Sequence, residues 1–493
     1  MKPVLTAKQM RSAEETLFAR GVRSIDLMER AASELSKHVL EHLPMNGTCV
    51  FACGSGGNGG DGYACARMVA ERGVRTIVIS SEPPRNPDAV ANREAAKEKL
   101  FALVDANELE RLPRPDVWVD CLFGTGLARR IGGKAEELIT RINRDREDGS
   151  FVISCDIPSG LNADSGAIDG ACVTADETVT FQERKRGHYL GEGLAVCGEL
   201  SVADIRIPKD CFAKETMRLA EDEDIKRVLP PRKRTAHKNN FGHLLIVAGS
   251  RGMAGAAALT AMAALRTGAG LVTIACPDSI LDILQTLVPC AMCVGLNETD
   301  GALNDAAAEE LKKALEGKNA VAIGPGLSKR ASAKCISVVL ESGLKAVIDA
   351  DALNIIAAES GLKKLLKAHH AITPHPGEAA RLLGESGLEA GECADKLRSL
   401  GCKALLKGAV SLIAGENMTL SASGCVGMAK GGSGDALTGI VGALLVQGLD
   451  AETALWAGSQ IHGRAGEIAQ EERGVASMLS TDLIEHIGDV LCF

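Results

Sequence analysis

Two stretches of this chain carry the residue types that chemistry requires. The first is Lys430-Gly431-Gly432-Ser433-Gly434-Asp435-Ala436-Leu437-Thr438-Gly439, a glycine-rich turn running into an apolar helical pattern. Glycines ahead of a helix let backbone N–H groups close on an anion, and the helix dipole favours negative charge there. Asp435, in that first turn, can take a proton from a substrate hydroxyl while the amides hold a transferring phosphoryl group. Phosphoryl transfer asks for little beyond such positioning and charge stabilisation. No Walker A pattern occurs in the chain, so a nucleotide needs a different cradle. Lys407-Gly408-Ala409-Val410-Ser411, a turn after an expected strand at 404–406, offers amides and a hydroxyl. Asp349-Ala350-Asp351-Ala352-Leu353-Asn354 and Thr373-Pro374-His375-Pro376-Gly377-Glu378 complete the set, with His375 held rigidly between two prolines.

The second stretch, Gly54-Ser55-Gly56-Gly57-Asn58-Gly59-Gly60-Asp61-Gly62, lies between a strand pattern and a helix pattern. Gly54, Gly56 and Gly59 match the dinucleotide-binding fingerprint. Asp61, however, places a carboxylate at the start of a helix expected over 61–72, where a phosphate would otherwise bind. Either Asp61 caps that helix, or Asn58 and Asp61 face a polar ligand or a cation. Two further loops favour the ligand. Asp120 ends a strand and precedes Phe123-Gly124-Thr125-Gly126-Leu127-Ala128-Arg129-Arg130, whose amides and arginines suit phosphate. Asp156 ends another strand in Cys155-Asp156-Ile157-Pro158-Ser159-Gly160. Three carboxylates converging on one sheet edge repel one another unless a cation or substrate lies among them.

The elements that position these loops are legible as strand–helix alternation. Thr6 can cap a first helix, and Ile25, Met28, Ala32, Leu35 and Val39 share one face of a second. Strands fit 49–53, 76–80, 117–122 and 151–155. Alternation restarts with strands at 243–248, 271–275, 320–323 and 346–348, and helices at 256–267, 436–447 and 453–471. Such alternation means parallel sheets with helices on both faces, and ligands beyond the strand C-termini. The charged segment 220–234, with Pro230-Pro231, marks the expected boundary, giving domains 1–210 and 220–493.

With 493 residues, more than one core is expected. The net charge of −9 argues against a nucleic-acid partner. No apolar run reaches the roughly 18 residues of a membrane span, and residues 1–6 have no apolar signal core, so a cytoplasmic protein is expected. The 16 cysteines sit mostly singly in apolar segments, as buried hydrophobes do. Cys290 and Cys293 have metal-ligand spacing, but no second pair accompanies them.

The runs GGNGGDG, DCLFGTGL, DIPSGLNADSG, ADETVTF and VADIRIP, in that order, resemble the NAD(P)H-hydrate epimerase domain over about residues 1–210. The resemblance implies a Rossmann-like three-layer α/β/α domain that interconverts the C6 epimers of hydrated NAD(P)H. Carried over by position, Asn58, Asp120 and Ser159 would bind potassium. Gly57, Asn58, Gly59, Gly60, Asp61, the 124–130 loop and Asp156 would contact the hydrate, Asp156 as acid/base. Gly57 stands where the family usually has Asn.

The runs AIGPGLS, VIDADALN, TPHPGEAARLLG, LLKGAVSLI and GMAKGGSGDALTGIVGALL resemble the ADP/ATP-dependent NAD(P)H-hydrate dehydratase domain over about 220–493. That implies a ribokinase-like α/β domain using Mg²⁺ with ADP or ATP. Nucleotide phosphorylates the C6 hydroxyl, and loss of phosphate restores the nicotinamide ring, leaving AMP when ADP is used. Ala256, Gly326, His375 and Asp435 would meet the hydrate; Lys407, Gly408, Ala409, Val410, Ser411 and Gly434 would meet the nucleotide. Asn239, Ser328 and Cys425-Val426 depart from the family pattern. Members suggest a homo-oligomer, a tetramer or higher. The competing expectation is a sugar- or vitamin-type kinase joined to a non-catalytic binding domain.

Overall fold

The computed structural model describes residues 1–127 and 129–492. The chain divides into two compact units, Pro3–Met217 and a second made of Met1–Lys2 with Arg218 onward.

In the first unit the strands lie in the order Ala102–Asp105, Arg75–Ser80, Thr48–Cys53, Val117–Cys121, Phe151–Cys155, Glu177–Phe181, Glu199–Ala203. Every neighbouring pair is parallel. The strand period of two sends alternate side chains to opposite faces. Cys49, Phe51 and Cys53 join one core with the helices Ala7–Ala19, Ser24–His42 and Gly57–Ala70, while Val50, Ala52 and Trp118 join another with Lys134–Glu147. Both faces are therefore covered, as an all-parallel sheet requires. Thr6 caps the first helix in a capping box with Gln9. Leu27, Met28, Ala31, Ala32, Leu35 and Val39 form the buried stripe of Ser24–His42.

One helix start differs from the sequence expectation. The helix after Thr48–Cys53 begins at Gly57, with Gly56 as N-cap, rather than at residue 61. Asp61 consequently lies in its second turn and does not cap it. The glycines that read as loop are packing residues. A Cβ at Gly54 would stand 1.9 Å from Leu122 O, one at Gly59 2.0 Å from Gly54 O, and one at Gly60 2.6 Å from Met28 Cε.

In the second unit the order is Met292–Leu296, Leu271–Pro277, His243–Val247, Ala320–Ile323, Lys345–Ile348, His370–Ile372, Lys403–Leu406, Ser411–Ala414, Met418–Ser421. Pairing is parallel as far as Lys403–Leu406, antiparallel over the next two strands, and parallel again where Arg218 and Leu219 pair with Met418–Ser421. The helix Ser433–Val446 is apolar all round and almost wholly buried, as a central core helix must be. It packs so closely on Ala254–Thr267 that a Cβ at Gly439 would meet Thr260 O at 2.1 Å. The charged segment after residue 220 is no bare linker: it forms the helix Asp222–Val228, whose Ile225 joins this core. Among the described residues no helix is long and apolar enough to cross a membrane.

Candidate active sites

A cavity of ≈ 800 Å³ opens in the first unit beside the turns that follow Thr48–Cys53, Val117–Cys121 and Phe151–Cys155. Its wall brings together Gly57, Asn58, Asp61, Gly124, Thr125, Gly126, Leu127, Arg129 and Asp156. Gly59 and Gly60 are not part of that wall; they face the packing contacts given above. Arg130 lines a neighbouring hollow with Arg129 and Lys134 instead. Ala128 lies outside the described residues. A Cβ at Gly57 would meet nothing within 4 Å, so the side chain absent here leaves room.

Beside this wall, Asp120 is completely buried. Its carboxylate accepts from Ser159 N at 2.8 Å, Ser159 Oγ at 2.6 Å and Ser154 Oγ at 3.0 Å. Asn58 Nδ2 and Ser159 Oγ both reach Phe123 O, at 3.1 and 3.2 Å. The three expected potassium ligands are thus linked through one carbonyl. Burial raises the Asp120 carboxyl, and the Ser159 hydrogen bonds partly oppose this. A set of oxygen donors with a single carboxylate suits a hard monovalent cation better than a transition metal. Among the described residues no cluster of three His, Cys, Asp or Glu stands at metal-binding separation.

Asp156 ends its strand with φ 65°, the left-handed region. Its carboxylate accepts from the Lys185 ammonium, from Thr180 Oγ1 at 2.9 Å and from Phe181 N at 3.2 Å. Lys185 is fully buried and also donates to Thr180 Oγ1 and Phe181 O, at 2.8 and 3.0 Å. Burial alone would raise the Asp156 carboxyl, but the Lys185 charge and hydrogen bond outweigh it and hold it below the usual range. His188 Nδ1 accepts from Lys185 N, leaving Nε2–H to donate to Asp156 O at 3.0 Å. Burial, then the Lys185 charge, takes His188 down to about 4, so it is neutral. Asp61 on the same wall goes the other way: burial, then Asp156 and Glu14, push it well above the usual range.

In the second unit Asp435 lies in the first turn of Ser433–Val446, after Gly432 in the left-handed region at φ 96°. Burial first, then repulsion from Asp349, raises Asp435 to about 6, with Lys407 opposing. Lys407 follows the strand Lys403–Leu406; its Nζ contacts Asp349 Oδ1 at 2.7 Å and lies 4.0 Å from Glu378. A Cβ at Gly434 would stand 3.5 Å from Lys407 Nζ, which sets the glycine turn against the 407–411 turn. Thr260 Oγ1 donates to Asp435 O at 3.1 Å and to Ala256 O at 2.9 Å. Gly326 abuts Ala256, where an added Cβ would come within 2.9 Å of the Ala256 Cβ. Ala256, Gly326, Gly434, Asp435 and Lys407 are thereby brought together. His375 serves as N-cap of Pro376–Leu383, its Nδ1 accepting from Gly377 N at 3.0 Å. The ring is half exposed and has no direct bond to Asp435.

Residues 244–489 match the family described as NAD(P)H-hydrate dehydratase, and residues 24–187 match the family described as YjeF-related protein N-terminus. The chain is 36% identical over 500 residues to the bifunctional NAD(P)H-hydrate repair enzyme Nnr of Coxiella burnetii, covering 97% of each chain. It is 34% identical over 484 residues to the protein of that name from Escherichia coli, covering 96% of this chain and 90% of the other. The chain belongs to the bifunctional NAD(P)H-hydrate repair enzyme family. A solved structure similar to its second half is an ADP/ATP-dependent NAD(P)H-hydrate dehydratase from Bacillus subtilis: 27% identical, 56% of this chain and 98% of the other, TM-score 0.48.

In this family member, sequence reasoning passed over three residues that the fold brings to the sites. Lys185 and Glu14 line the first cavity. His462, half-buried in the helix Ala451–Arg473, donates from Nε2 to Ser433 O at 2.9 Å and fixes the glycine turn. Burial lowers His462 to about 4, so it stays neutral.

Proposed function

We propose that this cytoplasmic enzyme repairs hydrated NAD(P)H, with residues 1–210 exchanging the R and S hydrates and residues 220–493 dehydrating the S hydrate with a nucleotide. Membership of the bifunctional family supports the pairing of activities. The observation that carries the dehydratase half is Asp435 at the helix start, with its carboxyl raised to about 6. A base is most effective when its pKa lies near the working pH. The amides of Ser433, Gly434 and Asp435, unpaired within the helix, with Lys407 and the Gly408-Ala409-Val410-Ser411 turn, hold the phosphates of the Mg²⁺–nucleotide substrate. Asp435 takes the C6 hydroxyl proton as that oxygen attacks the terminal phosphoryl group. Departure of phosphate from C6, assisted by the N1 lone pair, and loss of a proton from C5 to solvent then restore the C5=C6 double bond, and ADP leaves as AMP.

In the first unit, Asp156 serves as acid/base at C6 of a hydrate held by Asn58, the 124–127 amides and Arg129. Potassium on Asn58, Asp120 and Ser159 would neutralise the buried Asp120 charge. The free cysteines fit a reducing compartment, and the expected homo-oligomer is read by sedimentation.

The test is to mix enzymatically hydrated NADH with Mg²⁺ and ADP or ATP and follow the absorbance of the reduced nicotinamide. Recovery of absorbance with release of AMP and phosphate from ADP supports the reading. A stable phosphorylated product would make the second unit a kinase instead.

A further inference from the structure

Of the aspartates lining the first cavity, Asp156 is hydrogen-bonded through its Oδ1, and Asp61 differs from it. Asp156 accepts from Lys185, Thr180 and Phe181. Asp61, on the same wall, receives no hydrogen bond among the described residues, and its neighbours are the negative charges of Asp156 and Glu14. We infer that Asp61 donates and Asp156 accepts the proton in epimerisation, with Lys185 as the positioning residue that sets this division; the inference rests on the epimerase reading above.

The wiring of Lys185 makes the division one-sided. An ammonium has three donors, and those of Lys185 are taken by Asp156, Thr180 Oγ1 and Phe181 O. None is left for Asp61. His188 is neutral and gives its one proton to the Asp156 carbonyl. The other charged groups facing the cavity are Glu14, Asp88, Arg11 and Arg129. Glu14 is itself raised, by burial first and Asp156 second, with Lys185 and Arg11 opposing. Neighbouring acids with one closely bonded cation cannot all ionise cheaply. The carboxylate bonded to Lys185 keeps the charge and Asp61 keeps its proton. Two carboxyls driven apart in this way are what an acid/base pair needs.

The chemistry balances. C6 of the hydrate carries the hydroxyl and is bonded to ring nitrogen N1. Asp61 gives its proton to that hydroxyl, the C6–O bond breaks, and water leaves while the N1 lone pair forms a C=N⁺ bond. Water adds to C6 from the opposite face, the N1 lone pair is restored, and the proton lost by that water goes to Asp156. Exchange with solvent returns Asp61 to the acid and Asp156 to the carboxylate.

The experiment follows R–S exchange by the full chain in ¹⁸O-water by chromatography and mass spectrometry. Wild type should incorporate one solvent oxygen at C6 per exchange. Asp61→Asn should lower kcat by about 10²–10⁴-fold, the range for losing a general acid, with KM moved less. Lys185→Met should shift the acid limb of the pH profile to higher pH, because Asp156 loses the cation that holds it down. Lys185→Arg should return the limb toward wild type. A buried lysine with a purely structural role would lower the rate at every pH without moving the limb. The urea midpoint of the first unit in the same preparations reports whether each variant is folded. Failure of wild type to exchange the epimers overturns the epimerase reading and this inference with it. Wild-type exchange without label, Asp61→Asn within about threefold of wild type, far inside the expected loss, or an unmoved limb in Lys185→Met overturns the inference alone.

Discussion

Lys407 Nζ lies 2.7 Å from Asp349 Oδ1, and the other oxygen of Asp349 accepts from Thr438 Oγ1 at 2.8 Å. The strand-end aspartate is thus engaged on both oxygens. Asp435, on the same helix as Thr438, stands outside this pairing. The same closeness makes Asp349 a cause of the raised Asp435 value.

Asp435→Asn should fold, bind nucleotide and lose dehydration by about 10²–10⁴-fold. The amide keeps the volume and removes a buried charge, so Tm should not fall. Calorimetric titration with ADP and the absorbance assay check this. A rate within about threefold of wild type would sink the assignment of Asp435 as base.

The pH profile of dehydration should carry the same signature. A base works only when deprotonated, so kcat/KM should fall as pH drops through about 6. Lys407 lowers the Asp435 value, so Lys407→Met should move this limb to higher pH. An unchanged limb would mean that another group is being titrated.

Asp156→Asn should abolish epimer exchange in the full chain and leave nucleotide-dependent dehydration of the favoured epimer intact. Chromatography of the two epimers, with and without ADP, separates these activities. Equal loss of both would contradict the assignment of one activity to each unit.

Two glycines in the first turn of the helix Gly57–Ala70 should behave oppositely. Gly57→Ala meets open space and should be neutral or stabilising by up to about 1 kcal/mol, the helix preference of Ala over Gly. Gly59→Ala would drive a Cβ to 2.0 Å from Gly54 O and should cost more than about 2 kcal/mol, as overpacking commonly does. Urea midpoints of the first unit read the difference.

His38 and His42 both reach Glu177, at 2.8 and 3.1 Å. The Glu177 hydrogen bond raises His38, so its contribution is full below the ordinary 6.5 and is lost as pH rises through the raised value. Burial would raise Glu177, but His38 and Ser201 outweigh it and leave it lowered. Its contribution is full above 4.5 and is lost as pH falls through the lowered value. His38→Ala should therefore lower the urea midpoint most between those two values and least at pH 9. Because the pair is partly exposed, the loss should stay within about 1 kcal/mol.

Sequence periodicity carried the sheets, because strands buried on both faces leave continuous apolar runs. It also carried Asp435, since a glycine turn before an apolar helix is a local pattern. What escaped it depends on distant pairing. Lys185 sits in Glu183-Arg184-Lys185-Arg186, which reads as a solvated charge run. It is buried because Arg184–Lys185 pairs with Val4 and Leu5, far away in sequence. Gly57 read as loop because glycine disfavours helix, yet the tight approach of Gly59 to Gly54 O admits nothing larger there. His375, read as held rigidly between two prolines, also caps the helix Pro376–Leu383, a role that its lone position in the sequence did not signal.

Asp156 at φ 65° and Ala350 at φ 51°, the latter directly after Asp349, both hold a side chain in the left-handed region. That conformation costs an ordinary residue roughly 1–2 kcal/mol and glycine almost nothing. Selection for heat tolerance alone would therefore favour glycine at 350, whereas at 156 the loss of the partner of buried Lys185 outweighs that gain. At 350 such a change lets the backbone that aims Asp349 wander. A thermal screen of this chain would accumulate sturdier proteins that repair less, so melting temperature is a misleading guide to improving it.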